Sequence, residues 1–112
     1  MRETISVERA AAMAGCYASG SLRPEDVVPA YRDILENVLS AAREEGCDPE
    51  RIREAEKALK ESEGAESSEW WDEACDQLAS AAGWLLPEGW WVGGGEGDPT
   101  DIGIWGPDPE GE

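Results

Sequence analysis

Apolar residues recur along most of this chain at the three- and four-residue spacing of amphipathic helices, and near its end at closer, strand-like spacing. The widest stripe is Val28, Tyr31, Ile34, Leu35, Val38, Leu39 and Ala42, stopped by Gly46. Where that helix begins is ambiguous. Pro29 cannot donate to the carbonyl four residues back, so Arg23 to Asp26 could form a separate turn. An earlier helix opens at Ser6, a good N-cap, and places Val7, Ala10, Ala11, Ala14, Tyr17 and Ala18 on one face before Ser19-Gly20 ends it. Asp48-Pro49-Glu50 announces a third helix, with thin apolar content at Ile52, Ala55 and Leu59. After a connector from Ser62 to Ser68, a fourth helix is expected from Ser67 or Ser68 to about Leu86. Its core face is Trp71, Ala74, Cys75, Leu78, Ala81, Ala82 and Leu85, and Pro87-Glu88-Gly89 breaks it.

The remainder reads as extended. Trp90-Trp91-Val92 and Ile102-Gly103-Ile104-Trp105 are short β-prone runs, and the glycine-rich loop between them lets them pair as a hairpin. An isolated hairpin is marginal in water, so this one must pack on the helices. The expectation is a mainly α fold: a compact bundle of about four helices with a C-terminal Trp-rich β-hairpin. Residues 1–105 are expected to form one domain, and 106–112, rich in Pro, Gly and acid, a short disordered acidic tail.

Composition narrows the class. The chain has 112 residues, no His, no Phe and six Trp. Its three cysteines, Cys16, Cys47 and Cys75, are odd in number and widely spaced, which argues against a disulfide framework or a zinc site. They read as thiols in a reducing compartment, with Cys16 and Cys75 in the core. No stretch approaches the roughly 20 apolar residues of a membrane span, and the first residues lack the apolar run of a signal peptide. A cytoplasmic protein is expected.

Charge changes the picture most. The net charge is −17, and it is unevenly placed. Residues 1–43 carry six acids and five arginines, and residues 44–60 add six acids and four bases. From Glu61 onward there are fourteen acids and no Lys, Arg or His. Such a field opposes compaction unless something positive meets it. It also leaves counterion release nothing to work with, so direct nucleic-acid binding is disfavoured, as is an anionic membrane. A salt-adapted origin would suit the scarcity of lysine, but not the near-neutral first third.

The candidate surface is the solvent side of the fourth helix. Glu69, Asp72, Glu73 and Asp76 recur at neighbouring helical positions, with no basic residue on that helix to relieve them. Glu61, Glu63 and Glu66 extend the row along the connector. Adjacent strand residues point to opposite faces, so one of Trp90 and Trp91 is expected to be exposed; Trp91 is taken as an interface anchor. Glu96, Asp98 and Asp101 invite a calcium reading, but they fit neither the EF-hand loop nor a glycine-aspartate repeat. No metal or cofactor is expected. Nor is catalysis: the chain lacks a His, a nucleophile elbow and a phosphate loop, and its core thiols have no base nearby.

These features imply a small non-enzymatic inhibitor or modulator. Its carboxylates would imitate phosphates toward a basic protein or nucleoprotein complex that binds nucleic acid. Phage-encoded anti-restriction and anti-CRISPR proteins are of this general kind, a likeness of size and charge only. The alternative is a helical interaction or assembly module whose acidity serves solubility, with an apolar functional surface that could pair two copies of the chain.

Overall fold

The computed structural model describes residues 3–18, 23–94 and 102–106. Four helices and three strands run in the order α1 (Val7–Met13), β1 (Gly15–Ala18), α2 (Pro24–Glu45), α3 (Pro49–Glu61), α4 (Trp71–Leu85), β2 (Trp91–Gly94) and β3 (Ile102–Trp105). The fold is mainly helical with a small antiparallel sheet. Its radius of gyration is 13.4 Å, close to the ~13 Å of a compact domain of about 100 residues.

α2 is the spine. Of its apolar stripe Val28, Ile34, Leu35, Val38, Leu39 and Ala42 are almost wholly excluded from solvent and Tyr31 is half-buried; Ala41, outside the stripe, is buried as well. It packs on α4, α3 and the sheet. The helix is continuous from Pro24, which resolves the ambiguity at its start. Pro24 takes the first-turn place that suits its fixed φ. Pro29 costs only the bond to the Glu25 carbonyl, and both residues are exposed, so water can satisfy that oxygen. At the far end Gly46 adopts the left-handed conformation and its N–H closes on Ala42 and Arg43.

α3 starts as its sequence indicates, the Asp48 carboxylate accepting from the Glu50 N–H at 2.9 Å. Ser62, fully buried, ends it with its hydroxyl on the Leu59 carbonyl at 2.6 Å. A left-handed Gly64 then turns the chain into a short 3-10 segment, Ala65–Ser67.

The first helix is shorter than expected. It ends at Met13, and Gly15–Ala18, read from sequence as its last turn, is a strand. Only Ala10 of the expected apolar face before the strand is buried; Val7 is 59% exposed, and Ala11 and Ala14 face solvent. Pairing with β3 overrides the weak helical preference of this stretch. Cys16, expected in the core, is exposed as a result.

The expected hairpin is therefore one side of a three-stranded sheet ordered β1-β3-β2, antiparallel throughout. Trp91 opposes Trp105 and Val92 opposes Ile104, while Gly15 opposes Ile104 from the other side. Ile102 and Ile104 carry the sheet's buried surface. A Cβ on Gly103 would lie 1.9 Å from the Gly15 carbonyl oxygen, so only glycine admits so close a neighbour. The loop carboxylates Glu96, Asp98 and Asp101, and the acidic tail beyond Gly106, lie outside the described residues.

Candidate functional site

α4 separates its two faces cleanly. Ala74, Cys75, Leu78, Ala81, Ala82 and Leu85 are buried, with Trp71 half-buried beside them. Asp72, Glu73 and Asp76 stand on the exposed side. Glu69 does not belong to this helix, which begins at Trp71 rather than at Ser67 or Ser68. Ser68 is extended, and its hydroxyl accepts from the Trp70 N–H at 3.2 Å. This local turn competes with helix formation, as serine side chains commonly do. Glu69 thus sits in the turn that leads into the helix.

The other expected residues divide. Glu61 closes α3 and Glu63 sits in the following turn, both exposed. The Glu66 side chain lies outside the described residues. Trp91 is on a different element, β2, 38% exposed, its indole N–H donating to the Gly94 carbonyl at 3.3 Å. Trp90 is half-buried against Gly106, so of this pair Trp91 is the exposed member.

The structure brings Glu61 and Asp76 together. Both line an open groove of about 340 Å³ between α3 and α4, together with Glu54, Lys57, Ala58, Gln77, Ser80, Ala81 and Trp84. On the other flank of α4, burial first and the Asp72 and Asp76 charges after it together push the Cys75 thiol up to about 11. Burial also raises the Tyr31 phenol, helped by Cys75 and Asp76. A thiol held so firmly protonated is no nucleophile at neutral pH.

Three arginines form ion pairs away from this face. Arg9 pairs with Glu44, Arg43 with Glu56, and Arg51 with Glu3 at 3.7 Å. Among the described residues no ion pair reaches Glu61, Glu63, Glu69, Asp72, Glu73 or Asp76. Asp72, Glu73 and Asp76 place three charges along about 6 Å of helix axis, roughly one per 3 Å. A single DNA strand carries one per 3.4 Å.

Two residues of this surface were missed from sequence. Trp84 is 53% exposed and Trp70 is 58% exposed. The signal for Trp84 was present, because it falls outside the core stripe that ends at Leu85. Arg51 fixes the backbone beneath it, donating from Nη1 to the Trp84 carbonyl at 2.7 Å.

Among the described residues no group of three or more His, Cys, Asp or Glu side chains converges to hold a metal, and no helix is long and apolar enough to cross a membrane. Comparison with protein-family models, with curated proteins and with solved structures finds no match for this chain, so its functional reading rests on its own geometry and charge.

Proposed function

We propose that this protein is a small acidic inhibitor or modulator that binds the basic, nucleic-acid-binding surface of another protein and competes there with nucleic acid. The observation that supports this reading is the set of exposed carboxylates Glu61, Glu63, Glu69, Asp72, Glu73 and Asp76, which form no ion pair among the described residues. Nothing in folding needs that arrangement: like charges at neighbouring helical positions weaken a helix by a few tenths of a kcal/mol per pair. Acids in the first turn recover part of this from the helix dipole. On the partner, lysines and arginines that otherwise meet phosphate would meet these carboxylates, and the long-range field would speed encounter. The exposed tryptophans supply apolar anchors beside the charge.

Those same tryptophans favour a second reading, an assembly module held together by apolar contacts. Salt separates the two. Capture of a partner from a bacterial lysate should collapse by a few hundred millimolar salt if charge drives it, since the Debye length is then about 5 Å. Retention of the same partner, or of this chain alone, in high salt would move the assignment to the assembly module. Within the acidic reading, Asp72→Lys with Asp76→Lys should weaken binding far more than Asp108→Lys with Glu110→Lys. Equal effects would refute the site.

A further inference from the structure

The groove between α3 and α4 combines three features. Its floor is apolar, formed by Ala58 and Ala81. Its rim carries Glu54, Glu61 and Asp76 against a single cation, Lys57, leaving it two charges negative. Its end is walled by the indole of Trp84, 53% exposed and standing on backbone that Arg51 holds in place. The groove on the other side of Trp84 and Glu54 differs. There Arg51 and Arg53 face Asp48, Glu50 and Glu54, and the charges nearly cancel.

We propose that the α3–α4 groove receives an arginine side chain from an extended basic segment of the partner. The guanidinium would lie over the Trp84 ring beside the Glu54 carboxylate, and Glu61 with Asp76, about 12 Å further along α4 from Trp84, would meet the next cation of the same segment. This deepens the function proposed above and rests on it. Charge complementarity sets the sign of the occupant, and the wall of the groove sets its shape. A planar, weakly hydrated guanidinium stacks on an indole and offers a fork of donors to carboxylates, whereas an ammonium is a compact, strongly hydrated point charge. A volume of about 340 Å³ is at the low end for ligand pockets. It suits one or two side chains, not a docked helix. Lys57 lines the same groove without an ion pair to these carboxylates among the described residues, and its charge opposes an incoming cation.

The test uses the full chain labelled with ¹⁵N, whose six indole N–H signals report each tryptophan separately. The Trp84 signal is assigned by its loss in Trp84→Phe. Two heptapeptides of equal charge, Gly-Arg-Gly-Arg-Gly-Arg-Gly and its lysine counterpart, are titrated at about 0.1 M salt, where the Debye length is ~10 Å. The Trp84 signal should move with the arginine peptide, and the lysine peptide should bind more weakly. Trp84→Ala should weaken the arginine peptide about two- to fivefold and leave the lysine peptide little changed. Glu61→Gln with Asp76→Asn should weaken both, and Lys57→Gln should tighten both. All four positions are exposed, and unchanged circular dichroism would show that each variant folds. Movement of Trp70 or Trp91 with Trp84 silent would overturn the assignment. So would equal binding of the two peptides with no effect of Trp84→Ala. If Trp84 is silent while Asp72→Lys with Asp76→Lys still abolishes capture of the partner, the groove fails and the acidic surface stands. If neither peptide moves any signal, both fail.

Discussion

The two halves of this molecule handle charge in opposite ways. Around α1, the end of α2 and α3, acids find partners within the chain: Glu44 pairs with Arg9, Glu56 with Arg43, and the Glu45 carboxylate accepts from the Ser6 N–H and hydroxyl. From the end of α3 through α4, exposed acids stand without such partners among the described residues. Both regions share one core, so the contrast is not between a stable half and a loose one. It lies in whether exposed acids have cationic partners among the described residues.

The largest effect should come from the face of α4 that both halves use. Leu78 is completely buried, and Leu78→Ala should cost about 2–5 kcal/mol in chemical denaturation. The fraction that remains folded should capture the partner as before, which would separate the helix's two faces. Next, Asp72→Lys with Asp76→Lys should lower partner affinity about a hundredfold, or ~2.7 kcal/mol, with little change in melting temperature. The matching reversals at Glu44 and Glu56 should barely touch affinity. Comparable losses from both pairs would erase the contrast between the regions.

Alkaline pH gives a third, smaller effect. The folded Cys75 thiol holds its proton up to about 11, above the ~8.5 of an unperturbed thiol. Between those values the unfolded chain releases that proton and the folded chain keeps it, so stability falls as pH rises. Its contribution is intact below pH ~8.5, and about 2–3 kcal/mol should be lost by pH ~11. Tyr31, raised for the same reason, adds to the fall. Cys75→Val should remove most of the slope between pH ~9 and ~10; an unchanged slope would mean the thiol is not the group responsible. The smallest effect belongs to the paired half. Glu44→Gln and Glu56→Gln each break an exposed pair and should cost well under 1 kcal/mol.

Much of the helical frame was legible because its signals are local. The stripe on α2, the Asp48 cap and the buried face of α4 follow from spacing and capping alone. The sheet was only half legible. β1 resembles a helix end until β3 is placed beside it, and nothing near Gly15 in sequence reveals that partner. The acidic site was legible in composition but not in arrangement. The Ser68 hydroxyl moved Glu69 out of the helix, and the groove joining Glu61 to Asp76 depends on how α3 packs against α4. Trp84 could have been found, since an aromatic residue off the core stripe has to point elsewhere.

The position of β3 between its neighbours has one more consequence, which concerns time. Gly15 and Ile104 are 89 positions apart, yet they are partners across the sheet. Closing so long a loop has an entropic cost that local helices do not bear, and contacts of this range form late. A chain emerging from the ribosome can assemble α2, α3 and α4 while β1 still waits. The strand near its start finds its place only when the last strand has been made.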